Sequence, residues 1–368
     1  MKLPNLTFGD LTAKLPIIQG GMGVGISLSG LASAVANEGG VGVIATSMIG
    51  MDDPKRAKDP EGADRRGLQK EIRAAKAKMT DGLLGVNIMC ALTNYGDMVR
   101  TSVREGVDLI ISGAGLPVDL PGYLIEVKEE LKKDVHTKLV PIVSSGRAAT
   151  ILCKKWLKKF DCLPDGFVVE GPKAGGHLGF KADQIDDPAF KLEALVTDVV
   201  SAVEPFREKH DKDIPVIAAG GIFTGGDIAK FLDLGASGVQ MGTRFVATHE
   251  CDADDKFKQA YIDAVEEDVT IIQSPVGLPG RAIKNEFLDE VETGSKKPKK
   301  CVHKCLHSCQ EEDAPYCIAM ALVSAYRGKL KHGFAFAGAN AHMVDRIVSV
   351  KELIGAIKDE FNKFRASN

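Results

Sequence analysis

Pro215-Val216-Ile217-Ala218-Ala219-Gly220-Gly221-Ile222, followed by Gly238-Val239-Gln240-Met241-Gly242-Thr243-Arg244, decides how the rest of the chain is read. Both are short apolar runs that stop in glycine, and residues 226–234 between them have the length of one crossover helix. The pattern is a parallel strand, a glycine-rich loop, a helix and the next parallel strand. Gly220 and Gly221 lack the Cβ atoms that would keep a phosphate from backbone N–H groups, and the helix that follows turns its positive end toward such an anion. Gly242 and Thr243 repeat the arrangement one strand later. Two adjacent loops of this kind, late in a barrel, form a usual phosphate site of (β/α)8 folds.

Outward from this pair, eight strand-like runs alternate with helical ones. The runs are residues 16–19, 41–46, 83–89, 107–112, 139–144, 166–170, 214–219 and 237–241. Most are continuously apolar, as parallel strands covered on both faces are. Helical patterns occupy residues 30–37, 65–78, 95–105, 120–133, 147–159, 189–208 and 226–234. Eight such units predict an α/β fold, a (β/α)8 TIM barrel over residues 1–250, with a doubly wound open sheet as the competitor. Residues 251–368 read as a C-terminal, cysteine-containing helical appendage, with helices over 254–267, 319–328 and 350–364 packed on the outside of the barrel.

Composition narrows the function. A net charge of −3 over 368 residues points to neither nucleic acid nor an anionic membrane as partner. No apolar run reaches the roughly 18–20 residues of a membrane span. The first residues lack a basic segment followed by an apolar core, and eight cysteines in a chain this long fit a reducing compartment, so a cytoplasmic location is expected. A homodimer is compatible with the sequence but not required by it.

The remaining chemistry collects at the strand ends. Gln19-Gly20-Gly21-Met22-Gly23 closes the first strand, where glycines admit a flat ligand and Met22 offers a polarizable contact; a tight turn with a core methionine is the plainer reading. Asn87 ends the third strand and can present a donor and an acceptor to a heterocycle edge. The most informative run is Glu170-Gly171-Pro172-Lys173-Ala174-Gly175-Gly176-His177. A histidine on a glycine-rich loop at the catalytic face of a barrel can take or give a proton near neutral pH. Arg281 is within reach of this site, although its local sequence by itself reads as that of a surface residue.

Cys301, Cys305, Cys309 and Cys317 form a compact group with His303 and His307 interleaved. On a helix the first three share a face at i, i+4 and i+8, and Pro315 provides a turn before Cys317. Four thiols so close can hold a [4Fe–4S] cluster or zinc, although the spacing matches neither zinc ribbons nor a ferredoxin run. Free thiols and a redox disulfide are the other readings.

Taken together, Gln19-Gly20-Gly21-Met22, Gly85-Val86-Asn87, Ala174-Gly175-Gly176-His177, Ala219-Gly220-Gly221-Ile222 and Gln240-Met241-Gly242-Thr243-Arg244-Phe245 resemble the nitronate monooxygenase (2-nitropropane dioxygenase) family, which includes the type II enoyl-[acyl-carrier-protein] reductases. The resemblance covers about residues 15–285. It implies an FMN-binding TIM barrel in which Gly20, Gly21, Met22, Asn87, Gly175, Gly176, Gly220, Gly221, Gln240, Gly242 and Thr243 serve the flavin and His177 is catalytic. It also implies a small-molecule substrate, either a nitronate oxidised to a carbonyl compound and nitrite, or an enoyl thioester reduced at the expense of NAD(P)H. Residues 281–285 look like the reductase branch; residues 338–341 and the cysteine-rich tail look like longer bacterial members labelled nitronate monooxygenase. A flavin-free phosphate-binding isomerase or lyase would leave the Gln-Gly-Gly-Met and Gly-Gly-His runs unexplained.

Overall fold

The computed structural model describes residues 2–296, 305–307, 309 and 314–367. Eight parallel strands close into a barrel: β3 (Ile17–Gln19), β4 (Val41–Ala45), β5 (Leu83–Met89), β6 (Leu109–Gly113), β7 (Lys138–Val143), β8 (Phe167–Glu170), β10 (Val216–Ala219) and β11 (Gly238–Met241), with β11 returning to β3. All eight coincide with the predicted apolar runs, and the closed barrel excludes the open-sheet alternative. Along each strand one set of side chains fills the barrel and the alternate set packs outward on helices. Val168, Ile217, Ala219, Ile18, Val43 and Ile111 share the inner cluster, whereas Val169, Val216, Ala218 and Val239 belong to the outer one.

The bottom of the barrel is stoppered by an element the sequence reading did not resolve. Strands β1 (Leu6–Phe8) and β2 (Leu11–Ala13) form an antiparallel hairpin, and Leu6, Phe8 and Ala13 join the inner cluster fully buried. The outer ring is α1 (Ser29–Asn37), α2 (Pro60–Lys78), α3 (Tyr95–Arg104), α4 (Leu120–Leu131), α5 (Gly146–Phe160), α6 (Leu192–His210) and α7 (Gly225–Asp233). Their starts follow capping chemistry. Asp59 accepts from the Gly62 N–H ahead of Pro60, and Thr224 and Asp227 exchange bonds in a capping box that opens α7. Close packing of α1 on the sheet depends on Gly42, because a Cβ there would sit 1.8 Å from the Ala32 carbonyl oxygen.

After the short helix α8 (Thr243–Val246) come α9 (Asp255–Asp263), β12 (Val269–Gln273), β13 (Pro279–Ile283), α10 (Glu286–Glu292), α11 (Ile318–Tyr326) and α12 (Val350–Ser367). Only part of this stretch lies on the barrel's flank. Strands β12 and β13 pair antiparallel, and β13 pairs with β9 (Gly176–His177), a two-residue strand in the loop after β8. The predicted outside appendage therefore reaches over the barrel mouth and holds the histidine loop. Among the described residues no helix is long and apolar enough to cross a membrane.

Candidate active site

A cavity of about 690 Å3 opens at the C-terminal ends of the barrel strands, within the usual range for small-molecule and cofactor sites. The first βα loop brings Gly20, Gly21 and Met22 to it, and β5 brings Asn87. Gly21 and Asn87 belong to one device. A Cβ at position 21 would lie 2.2 Å from the Asn87 Cβ, so only glycine lets the amide stand at the top of β5. Gly220 and Gly221 line the cavity in left-handed conformation, at φ +95° and +84°, which turns their backbone into the opening. Gln240, Gly242 and Thr243 follow on the neighbouring strand and loop, and Gly175, Gly176 and His177 line the cavity from the β8 loop, on the other side of β10. All twelve residues named for the flavin and for catalysis thus face one space.

The floor of this space is polar although the barrel beneath it is not. Glu170, Ala219 and Gln240 lie abreast on three adjacent strands, in register with one another. By strand alternation Glu170 follows Val168 inward, and Gln240 opposes the outward Val239. The Gln240 Oε1 is buried without a hydrogen-bond donor. Burial pushes the Glu170 carboxyl up to about 7. A buried amide oxygen is costly to leave unpaired, so a polar ligand resting on this floor is the condition under which Gln240 is satisfied.

His177 is held from three sides by residues the sequence reading did not single out. Its Nε2 is hydrogen-bonded to Ser274 Oγ at 2.6 Å, and its ring meets Phe336 edge-on with 5.0 Å between centroids. Its backbone is in register with Gly280 of β13. Burial without a charged partner lowers its pKa to about 4, so the imidazole is neutral across the physiological range. Arg281, whose local sequence by itself reads as surface, is buried with only 7% of its area exposed. Its guanidinium donates to the carbonyls of Pro172 and Ala174, the latter at 2.8 Å, and so clamps the loop that carries Gly175, Gly176 and His177. Lys173 of the same loop lines the cavity with an exposed side chain.

The segment after α11 closes the side of the cavity formed by the Gly220–Gly221 loop. Asn340 donates from Nδ2 to the Gly221 carbonyl at 2.8 Å, and the Ala339 N–H donates to the Lys173 carbonyl. Gly175 has the Ala337–Gly338 backbone against it, 2.6 Å from where a Cβ would stand. Nothing local in residues 269–281 or 336–340 announces these contacts. The nearest signal was the Ser274–Gly280 Pro/Gly-rich turn between two apolar runs, which marks a hairpin but not its destination.

The cysteines require a correction. Cys301 lies outside the described residues. Among the described residues no three His, Cys, Asp or Glu side chains come together as metal ligands, so a cluster or zinc on Cys305, Cys309 and Cys317 is not supported. The described residues 305–307 and 309 are not helical, so Cys305 and Cys309 do not share a helical face. Residues 305–307 lie against the loop after β5, where Leu306 bridges Leu92 and the Thr93 N–H donates to the Cys305 carbonyl, while Cys317 precedes the first turn of α11. Cys305 and Cys317 instead pack against the apolar group Val24, Met48, Ala319 and Val323.

Comparisons with known proteins agree with this geometry. The family described as nitronate monooxygenase matches residues 6–360. A probable nitronate monooxygenase of Staphylococcus saprophyticus is 27% identical over 311 residues, 79% of this chain and 81% of that protein. A (3aS,4S,5R,7aS)-5-hydroxy-7a-methyl-1-oxo-octahydro-1H-indene-4-carboxyl-CoA dehydrogenase of Mycobacterium tuberculosis is 29% identical over 284 residues, 76% of this chain but 66% of that one, so the chain spans just under two thirds of that relative. The solved structure of FabK from Thermotoga maritima superposes with a TM-score of 0.71 at 29% identity, covering 96% of this chain and 95% of its own. A nitroalkane oxidase from Streptomyces ansochromogenes shares the fold at a TM-score of 0.71 and 23% identity, over 96% of this chain and 98% of its own. With a matched span that runs from the barrel's stopper to its last helix, the chain belongs to the nitronate monooxygenase family and is a flavin-type oxidoreductase.

Proposed function

We propose that this protein is an FMN-dependent enzyme that oxidises alkyl nitronates to a carbonyl compound and nitrite, with O2 as oxidant. The observation that carries the reading is the neutral His177, bonded to Ser274 and held over a cavity whose polar floor has an orphaned Gln240 oxygen. The residues fit the flavin. Backbone amides around Gly220, Gly221, Gly242 and Thr243 would hold its phosphate, Gly20, Gly21 and Met22 leave room for its ring, and Asn87 and Gln240 offer amides to its edge. FMN, when bound, supplies the electron acceptance that neither imidazole nor amide groups can perform.

The chain's own groups do the rest. His177, free of charge near pH 7, accepts a proton from the carbon of a neutral nitroalkane or hydrogen-bonds a nitro oxygen of the nitronate. Ser274 fixes the ring's orientation through Nε2. Lys173, exposed at the rim, favours the approach of an anion such as a nitronate. Phe336 packs on the imidazole and limits water at its face.

Reduction of an enoyl thioester by NAD(P)H is the second reading. It is favoured by the likeness to FabK over nearly the full length of both chains and by the buried Arg281 in the run that looked reductase-like. The test is the anaerobic visible spectrum of the purified protein, recorded before and after adding a nitronate and, separately, NAD(P)H. Bleaching of the flavin bands by the nitronate alone is expected. Bleaching by NAD(P)H alone would transfer the assignment to the reductase, and a colourless protein that takes up no FMN would remove both.

A further inference from the structure

The cavity has two unlike halves. Among the described residues that line it, the acidic and basic side chains are Glu170, Lys173 and His177, all from β8 and the loop that follows. The loops after β3, β4, β5 and β6, four neighbouring strands of the barrel, bring Val24, Met48, Leu92 and Leu116 instead. The C-terminal segment completes this apolar wall with Leu306, Ile318, Ala319 and Leu322. Ser47, the hydroxyl on this side, is turned to the Met89 sulfur at 3.3 Å. Gly20, Gly21, Met22 and Asn87 at the strand ends have the flavin as their proposed ligand, but the wall beyond them serves neither the flavin nor proton transfer in that reading.

Backbone conformation singles out the same arc. Among the described residues, six that are not glycine have a left-handed backbone. Lys132, Asp161 and Asp211 adopt it as C-caps, where it ends a helix. The other three are Val24, Met48 and Ala114, at φ +57°, +57° and +54°, and all three line the cavity from the loops after β3, β4 and β6. For a β-branched valine this conformation is strained. Such strain persists where the surroundings impose it, and it collects at ligand sites. Here the surroundings are the C-terminal segment: Val24 and Met48 share a cluster with Ala319 and Val323 of α11, and Leu322 packs against it.

An apolar wall beside a reacting centre gains by being covered, in proportion to the area taken from water. A methyl or ethyl group on the reacting carbon covers little of it. Leu116 and Leu278 carry the apolar lining out to the rim, where they are 43% and 41% exposed, so a longer group is not confined to the interior. We propose that the substrate bears an extended alkyl chain or a ring system on the carbon that reacts at His177, and that Leu322 is one of the residues that select it. This inference rests on the nitronate reading above. It makes the C-terminal segment a specificity element, and it makes short nitronates poor substrates.

The experiment gives the holoenzyme the nitronates of nitroethane, 1-nitrobutane, 1-nitrohexane and 1-nitrooctane, with oxygen consumption as the readout. Binding alone is measured by calorimetry with alkanoates of matching length, planar anions that cannot pass electrons to a flavin. Both kcat/KM for the nitronates and affinity for the alkanoates are expected to rise about fourfold with each methylene until the wall is covered. Leu322→Gln, which sets an amide against the chain, should lower kcat/KM for the hexyl compound about tenfold, with a loss that shrinks as the chain shortens. Leu322→Met, apolar and of similar volume, should keep the length dependence. Circular dichroism checks that both variants fold, and the wild-type series decides the matter if they do not. Binding and turnover that ignore chain length would overturn this inference and leave the nitronate reading intact. Alkanoate affinity that climbs with length while no nitronate is oxidised would overturn the nitronate reading and keep the apolar compartment. Neither binding nor turnover at any length would overturn both.

Discussion

At the scale of single residues, burial rather than charge pairing tunes the site. His177 and Glu170 both face the cavity, and loss of water alone moves them in opposite directions, the imidazole to about 4 and the carboxyl to about 7. His177→Ala is expected to keep FMN bound and to lower turnover by roughly 10²-fold, the scale of a lost acid–base group; steady-state rates with nitronate or with enoyl thioester measure it. The same depressed pKa has a stability consequence. Between pH 6.5 and about 4 the unfolded chain binds a proton at this position that the folded one does not, so stability falls as the pH drops through that window. His177→Gln removes the effect, and its melting temperature should decline less than that of wild type across the same range.

At the scale of elements, the hairpin β12–β13 and the β8 loop act as one unit. Strand β9 exists only because β13 offers it a ladder, and the same hairpin delivers Ser274 to the imidazole and Arg281 to the carbonyls of Pro172 and Ala174. Removing the guanidinium leaves two carbonyls short of a donor in a buried place. Arg281→Met is therefore expected to destabilise the protein by about 2 kcal/mol and to loosen FMN. Thermal melts of the holoenzyme, with flavin fluorescence read alongside unfolding, would check this. A variant that melts like wild type would mean that the loop keeps its shape unaided.

At the scale of the whole molecule, the last helix supports the loops after β10 and β11 from outside. Helix α12 buries Val350, Leu353, Ile354, Ile357 and Phe361 against the ring of helices. Its Glu360 accepts from the Gly225 N–H at 2.8 Å and from Arg244 at 3.0 Å, tying together the loops that follow β10 and β11. Five such side chains at about 1.5–3 kcal/mol each are comparable to the roughly 5–15 kcal/mol by which a folded domain is stable. A chain ending at residue 349 should accordingly fail to give a folded barrel by circular dichroism. Glu360→Gln, which keeps the helix, should fold and hold FMN only several-fold less tightly.

The barrel was legible in the sequence because it is repetitive and local. Most of the parallel strands are continuous apolar runs, most are bounded by glycine or a polar residue, and a helical pattern follows each of the first seven, so eight strands could be counted from residues 16 to 241 without any contact known. The glycine loops and His177 were legible for the same reason: their function demands residue types that strand and helix interiors avoid. What lies across the cavity was not legible. Ser274, Phe336, Asn340 and the burial of Arg281 depend on where a later hairpin and loop come to rest, and no periodicity records that. The cysteines mislead in the opposite sense, since their spacing suits one helical face, whereas the described residues 305–307 are not helical and lie beside residues 91–93. Sequence determined the strands, the loops and the kinds of chemistry at their ends. Only the tertiary structure decided which side chains meet, because desolvation and hydrogen bonding at the mouth are shared between segments about a hundred residues apart.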